Sequence, residues 1–98
     1  MYRSIGPAEF YQETKKKSIP VIDVRESVEY QMGHVPNAES FPLSELEAAS
    51  SQLKKEKTYY VICQSGGRSA TACNWLASQG FDVINVMGGT SAWPDRLV

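Results

Sequence analysis

The chain has 98 residues, and its 10 basic and 11 acidic side chains give a formal net charge of −1. This balance argues against nucleic acid as the main partner, because phosphate binding needs a basic excess. No stretch has the apolar length of a membrane span or the composition of a signal peptide, so we expect no membrane partner.

The cysteine count and the hydrophobic content indicate the cellular location and the number of domains. The only cysteines, Cys63 and Cys73, form neither a disulfide framework nor a zinc pattern, which favours a reducing, cytoplasmic location. Hydrophobic residues make up 42% of the chain, enough for a small core. We therefore expect one domain over residues 1–98.

The first half of the chain predicts two helices and two strands. A helix begins at Gly6-Pro7, because proline is favoured in the first turn and Glu9 complements the helix dipole. The apolar run before Arg25 is typical of a buried strand. In chain order the predicted elements are a helix to about residue 16, a strand over 20–24, a helix over 27–32 ended by Gly33, a turn over 34–38 and a short strand over 39–41.

The second half predicts a similar alternation. Ser44 and Glu47 have the spacing of a capping box, with Ser44 at the N-cap of a helix that reaches Leu53. The β-branched and aromatic run before Cys63 is the strongest strand signal. The further elements are a strand over 58–62, a helix over 69–79 ended by Gly80, a strand over 81–86, a turn at Gly88-Gly89 and one helical turn over 90–93.

Strands alternate with helices throughout, which indicates an α/β fold. Such an order predicts a central, mostly parallel sheet with helices on both faces. Ligands of these folds bind beyond the carboxyl ends of the strands. Cys63 follows one strand, and Asp23 and Arg25 lie at or after the end of another, so these residues are candidate site residues.

The segment after Cys63 combines a nucleophile with an anion site. A glycine-rich loop leads from a strand into a helix, so backbone N–H groups and the helix dipole favour negative charge there. The same field stabilises a cysteine thiolate. Gly66 and Gly67 allow positive φ angles, and Arg68 adds a planar cation suited to an oxyanion. The predicted site consists of Cys63 and the loop residues Gln64, Ser65, Gly66, Gly67, Arg68 and Ser69.

A cysteine thiolate can attack either an electrophilic sulfur or a phosphorus atom, and the length of the loop favours attack on sulfur. Four residues separate Cys63 from Arg68. Cysteine-dependent phosphatases have a loop one residue longer, which wraps a tetrahedral phosphate, whereas the shorter loop suits a single outer sulfur on Cys63. We therefore expect sulfur transfer. A phosphatase or arsenate reductase is the alternative enzyme, and a structural cysteine beside an ordinary turn is the simplest alternative.

The ordered motifs resemble those of single-domain rhodaneses, the thiosulfate sulfurtransferase-like family. The matching pieces cover almost the whole chain: VIDVRE at 21–26, Glu29-Tyr30, GHVPNA at 33–38, the loop at 63–69, Gly80-Phe81, Val83, Gly88-Gly89 and Ala92-Trp93. The resemblance implies a rhodanese-like fold with about five parallel strands. It also implies that Cys63 takes sulfur from thiosulfate or a persulfide donor, with Arg68 binding the anionic donor.

In the mechanism that the resemblance implies, the Cys63 persulfide passes its sulfur to a thiol or cyanide. No metal or organic cofactor is required, and a sulfur-relay protein is a further candidate partner. A rhodanese-like module that only binds a protein partner is the remaining alternative. The intact cysteine and loop argue against it, because such modules often lack the nucleophile.

For four other residues the sequence leaves both a functional and a structural role open. Asp23 and Arg25 either shape the pocket floor or form a structural network, with Asp23 accepting backbone N–H bonds and Arg25 pairing with a carboxylate such as Glu29. The only histidine, His34, lies in a predicted structural turn instead of serving as a general base. Cys73 is expected on the core face of its helix, and a resolving thiol is the alternative.

Three more positions carry smaller expectations. Asn37 stands where the family often has glycine, and asparagine tolerates the left-handed conformation that the turn requires. Trp75 lies well round the helix from Cys73, as a surface aromatic beside the site. Trp93 is expected in the core.

Overall fold

All five strands of the sheet run parallel. The structure, a computed structural model, describes all 98 residues. The strands are β1 (Arg3–Ile5), β2 (Val21–Asp23), β3 (Ala38–Ser40), β4 (Thr58–Ile62) and β5 (Asp82–Val86). They lie in the order β1-β5-β4-β2-β3, and every neighbouring pair is parallel. This confirms the predicted α/β fold with about five strands, four of which the sequence patterns locate.

The sequence patterns miss the edge strand β1. It has three residues, of which only Ile5 is buried, so it shows no apolar run. Its position comes from long-range pairing with β5, including a 2.9 Å hydrogen bond from the Met87 N–H to the Ile5 carbonyl. A strand held only by a distant partner leaves little local signal.

Four α-helices and three short 3₁₀ turns connect the strands. The helices are α1 (Pro7–Lys16), α2 (Ser27–Gln31), α3 (Leu46–Ala49) and α4 (Gly67–Ser78), and the 3₁₀ turns are Leu43–Glu45, Ser50–Gln52 and Thr90–Ala92. The predicted helix start at Gly6-Pro7 and the single turn near residue 90 are confirmed. None of these helices combines the length and the apolar composition that crossing a membrane requires.

The predicted capping box at Ser44 is wrong. Ser44 lies inside the first 3₁₀ turn, and its hydroxyl donates a 2.8 Å hydrogen bond to Glu26 Oε1. The continuous helix expected to reach Leu53 is a 3₁₀, α, 3₁₀ succession instead. A backbone-to-carboxylate cap occurs at α2, where the Glu26 N–H donates to Glu29 Oε1 at 3.0 Å. Ser44 therefore links the two helical regions and caps neither.

Two buried clusters cover opposite faces of the sheet. Successive side chains of β4 alternate between them, as the two-residue period of a strand requires. The first cluster includes Tyr59, Val61 and Cys63 with Leu46 of α3 and Ala72, Cys73 and Leu76 of α4. The second includes Ile62, Ile84 and Val86 with Phe10 of α1. The helices therefore lie on both faces, and Cys63 belongs to the face that α4 covers.

Candidate active site

Cys63 follows β4, which lies in the middle of the sheet. Its sulfur accepts a 3.1 Å hydrogen bond from the Gly66 N–H and lies 3.3 Å from Ser69 Oγ. The residue is 1% exposed, so its sulfur sits at the base of the loop and not on the surface. The two loop groups that converge on the sulfur are thus the Gly66 N–H and the Ser69 hydroxyl.

One glycine creates the sharp turn from the loop into α4. Gly66 has a φ of 113°, which disfavours any residue with a side chain. Gly67 is the first residue of α4, so the positive φ that the sequence suggests for it is absent. Because α4 begins two residues earlier than predicted, Arg68 and Ser69 both lie in its first turn. The helix N-terminus is therefore directed at the loop, where its dipole favours a thiolate.

The surroundings of Cys63 favour ionisation. Burial raises the pKa of its thiol, but hydrogen bonds from the Ser69 hydroxyl and from the backbone N–H groups of Ser69, Gly66 and Ser65 outweigh burial. The net effect lowers the pKa of Cys63 below its ordinary value. Hydrogen bonds to the charged form of a cysteine favour the thiolate, which is its nucleophilic form.

Cys73 has the opposite environment. It is fully buried in the cluster between α4 and the sheet, and both cysteines are free thiols. Burial, together with the nearby Cys63, raises the pKa of Cys73 to about 12. A thiol that stays protonated at neutral pH is a poor nucleophile. The structure favours the core interpretation of Cys73 over a resolving thiol.

Arg68 forms a two-pronged ion pair with Glu29 of α2. Its Nη1 and Nη2 atoms lie 2.7 and 2.9 Å from the two carboxylate oxygens. This pairing lowers the pKa of Glu29 to about 2, chiefly through the Arg68 hydrogen bond. The expectation that Glu29 pairs with Arg25 is wrong, because the third position of α2 faces the first turn of α4. The pair joins the loop after Cys63 to α2.

Arg25 instead pairs with Asp23, two residues earlier. Its Nε and Nη2 atoms lie 3.0 and 2.8 Å from the Asp23 carboxylate, and its backbone N–H donates to the same carboxylate at 3.0 Å. Asp23 is 0% exposed and Arg25 is 4% exposed. Arg25 also donates to the Gly33 carbonyl at 2.8 Å. The predicted structural network exists, with a partner for Arg25 that the sequence did not indicate.

A cleft of about 300 Å³ opens beside the loop. Its lining joins the end of β2, α2, the loop and the C-terminal segment: Arg25, Glu29, Met32, Gly33, Gln64, Thr90, Ser91 and Leu97. The Arg25 guanidinium comes within 3.5 Å of Gln64 Oε1, so Arg25 lines the cleft in addition to pairing with Asp23. No group of three or more His, Cys, Asp or Glu side chains is arranged to hold a metal ion.

Residues 88–91 support the loop from outside, a contribution absent from the sequence predictions. The Thr90 N–H and hydroxyl donate to the Cys63 carbonyl at 2.8 and 3.1 Å. The Ser91 N–H donates to the Gln64 carbonyl at 3.0 Å. These bonds hold the strand end and the first loop residue in place. The Gly88-Gly89 pair was the only available signal, since it predicts a turn but not the loop that the turn contacts.

Gly89→Ala is expected to unfold or strongly destabilise the protein. Gly89 has φ 59° and ψ −154°, a region accessible essentially only to glycine. An added Cβ would overlap the Cys63 carbonyl oxygen and come within 2.6 Å of that of Gln64. We expect a loss of at least ~3 kcal/mol in the free energy of unfolding, measured by chemical denaturation.

Gly67→Ala provides the matched control for Gly89→Ala. Gly67 is helical and has nothing within 4 Å of an added Cβ, so stability should stay the same or rise slightly. Equal stability of the two variants would contradict the role assigned to Gly89.

His34 and Asn37 have the structural roles in the turn that the sequence predicts. His34 Nδ1 lies 2.9 Å from the Tyr30 carbonyl, and its ring stacks on Tyr30 at a centroid distance of 3.7 Å. Its backbone exchanges hydrogen bonds with Val98. Asn37 has a φ of 72°, as the tolerance of asparagine for this conformation predicts. His34 therefore supports the turn and makes no contact with Cys63.

The two tryptophans lie away from the sulfur. Trp75 is half-buried against the first cluster and lines a shallow groove with Leu43, Leu46 and Thr71. It does not line the cleft beside the loop. Trp93 is half-buried and packs edge-on against Phe10 and Tyr11, at centroid distances of 5.8 and 5.0 Å. Trp93 was predicted to lie in the core, but it is only partly buried and packs against the edge of the second cluster.

Comparison with known proteins identifies several relatives. A family model described as Rhodanese-like domain matches residues 6–96. The thiosulfate sulfurtransferase GlpE of Coxiella burnetii is 33% identical over 94 residues, which cover 95% of this chain and 88% of that protein. A Bacillus subtilis protein named "Putative sulfur carrier protein YrkF" is 40% identical over 81 residues, covering 82% of this chain but 44% of that protein.

Solved structures agree with this match. The crystal structure of a rhodanese-like domain protein from Staphylococcus aureus has a TM-score of 0.92 and 34% sequence identity. The alignment covers 98% of this chain and 96% of that one. The likeness therefore extends over the whole sheet and both helical layers.

Proposed function

The chain belongs to the rhodanese-like domain family, and from this premise we propose that it is a sulfurtransferase that carries sulfane sulfur on Cys63. One observation supports the proposal most directly. The Cys63 sulfur accepts the Gly66 N–H at 3.1 Å beside the N-terminus of α4, and loop hydrogen bonds lower the pKa of Cys63. The site thus stabilises a sulfur anion before any donor binds.

The reaction proceeds as two displacements on sulfur. In the first, the Cys63 thiolate attacks the outer sulfur of thiosulfate or of a persulfide. A new S–S bond forms, the old S–S bond breaks, and sulfite or a thiolate leaves with the electron pair. In the second, cyanide or a thiol attacks the outer sulfur of the Cys63 persulfide, and the Cys63 thiolate is the leaving group. Atoms and charge balance without a cofactor.

The loop residues have distinct roles in this proposal. Backbone N–H groups of residues 64–69 hold the outer sulfur, while the exposed Gln64 and Ser65 side chains contact the donor at the mouth. Arg68 retains donors for an anion, because a guanidinium has five N–H groups and the Glu29 bonds use two of them. Asp23 and Arg25 hold the cleft wall. A reduced Cys63 is essential to the chemistry, which fits a cytoplasmic setting.

The sulfur donor or acceptor can be another protein. The Bacillus subtilis relative named as a sulfur carrier is more than twice as long as the matched region, so that protein contains further sequence beyond it. We propose that a sulfur-relay protein delivers or receives the Cys63 sulfur. A phosphatase or arsenate reductase is less favoured because only four residues separate Cys63 from Arg68.

Intact-protein mass spectrometry tests the proposal. The reduced wild-type protein is incubated with thiosulfate, desalted and weighed, then treated with cyanide and weighed again. We expect a gain of one sulfur atom that cyanide removes with formation of thiocyanate. Parallel samples receive a low-molecular-weight persulfide, a phosphate ester or arsenate. Failure to load sulfur from either sulfur donor would contradict the proposal, and turnover of a phosphate ester or arsenate would favour the alternative enzyme class.

A further inference from the structure

Asn85 is a polar side chain in an apolar part of the sheet. It lies on β5 among Val83, Ile84 and Val86, and it is 6% exposed. The strand period places it on the same face as Val83, the face covered by α4. A buried amide is unfavourable unless it is hydrogen-bonded. Its one side-chain partner is the Ser69 hydroxyl, with Asn85 Oδ1 2.5 Å from Ser69 Oγ.

The Ser69 hydroxyl has three neighbours that can accept its single proton. Ser69 Oγ lies 2.5 Å from Asn85 Oδ1, 3.1 Å from the Gly66 carbonyl oxygen and 3.3 Å from Cys63 Sγ. A hydroxyl has one proton to donate and two lone pairs to accept with. Whichever neighbour receives the proton, the other two do not. Asn85, the acceptor at the shortest distance, therefore competes with the sulfur for the Ser69 proton.

We propose that Asn85 is a positioning residue for the Cys63 sulfur, acting through the Ser69 hydroxyl by reversing the direction of a short chain of hydrogen bonds. With a neutral thiol, Cys63 donates to Ser69 Oγ, and Ser69 donates to Asn85 Oδ1. With a charged sulfur, the Asn85 amide turns, its Nδ2 donates to Ser69 Oγ, and Ser69 donates to Cys63 Sγ.

Only a side chain with both a donor and an acceptor supports both directions of this chain. An asparagine amide presents an oxygen and an NH₂ group of nearly the same shape, so a half-turn exchanges them in the same space. A carboxylate accepts in both states and holds the Ser69 proton away from the sulfur. An alanine makes neither bond.

This inference rests on the proposed function in one respect, namely that Cys63 is the reacting group. The ionisable and charged groups near Cys63 include Arg68 and Cys73 of α4, Glu29 of α2, which pairs with Arg68, and the Asp23–Arg25 pair at the end of the neighbouring strand β2. None of them is hydrogen-bonded to Asn85, whose side chain contacts Ser69. Substitution at Asn85 therefore leaves these groups in place and changes the Ser69 contact.

The test is a titration of the Cys63 thiolate by its ultraviolet absorbance, with Cys63→Ala as the reference that subtracts tyrosine. Asn85→Asp should shift the midpoint upward by about one pH unit. Asn85→Ala should shift it upward by a smaller amount, because Ser69 then shares its proton between the sulfur and the Gly66 carbonyl. Circular dichroism and thermal unfolding establish that each variant is folded.

A double-variant cycle separates positioning from a general structural effect. In a Ser69→Ala background, Asn85→Ala should leave the Cys63 midpoint unchanged, because the connecting hydroxyl is gone. An equal shift with and without Ser69, or no shift in folded Asn85→Ala and Asn85→Asp proteins, would overturn the inference. Should Asn85→Asp fail to fold because of its buried charge, the alanine cycle still decides.

The titration also distinguishes failure of this inference from failure of the proposed function, because it uses no sulfur donor. Absence of sulfur loading on wild-type protein, combined with a Ser69-dependent midpoint shift, would overturn the sulfurtransferase proposal alone. Normal sulfur loading with a midpoint insensitive to position 85 would overturn the role of Asn85 alone.

Discussion

Cys63→Ala is expected to abolish sulfur loading and to reduce sulfurtransferase turnover by at least ~10³-fold. The variant removes the sulfur that accepts the Gly66 N–H, and the only other thiol in the chain is that of Cys73. The second cysteine is fully buried, and its pKa is raised to about 12. Little thiolate therefore exists at position 73 at neutral pH.

Cys73→Ala is the matched control for this experiment. It removes a buried thiol from the same helix but leaves the loop intact, so sulfur loading should persist at or near one sulfur per chain. Loading is followed by intact mass and turnover by thiocyanate formation. A Cys63→Ala protein that still loads one sulfur, with loading lost in Cys73→Ala, would show that the wrong cysteine has been assigned.

The pH dependence of loading follows from the same assignment. The thiolate is the reactive form, so the rate should rise with pH through the pKa of Cys63 and then level off. Because the loop hydrogen bonds lower that pKa, the plateau should be reached below the pH expected for an ordinary thiol. A rate that keeps rising through the ordinary thiol range would contradict this part of the assignment.

Breaking the Asp23–Arg25 pair is expected to cost about 3–5 kcal/mol of unfolding free energy. Both side chains are almost completely buried, and their charged atoms approach to 2.8 Å. Arg25→Met leaves the Asp23 carboxylate desolvated without its cation, and Asp23→Ala leaves Arg25 in the same condition. Chemical denaturation at neutral pH measures the loss. Because Arg25 also borders the cleft, sulfur loading should fall in any folded fraction.

The surface pair between Arg3 and Asp82 provides the comparison. Its atoms are 3.4 Å apart, and the two side chains are 66% and 51% exposed. Water screens such a pair, so Arg3→Ala should cost no more than about 1 kcal/mol. A similar loss in Arg3→Ala and Arg25→Met would show that burial does not govern the contribution of the Asp23–Arg25 pair.

Elements with a strong local signal were predictable from sequence. The predicted strand over 58–62 is β4 with the same bounds. The start of α1 at Pro7 and the end of α4 before Gly80 follow from the conformational preferences of proline and glycine. The pattern at Ser44 was misleading, because a spacing of serine and glutamate is common and the actual partner of Ser44, Glu26, lies 18 positions away. Short elements such as β1 depend on pairing that no local pattern shows.

The sequence by itself determined the strand, the turn and the helix that surround Cys63. These are contiguous in the chain, and local propensities and the conformational freedom of Gly66 act over a few residues. Only the tertiary structure decided which charges pair, since Arg68 pairs with Glu29 across 39 positions while Arg25 pairs with Asp23, two positions earlier. It also brought Thr90 and Asn85 to the loop, across 27 and 16 positions. Parallel strands collect distant residues at one edge of the sheet, and the choice among several possible partners there depends on packing.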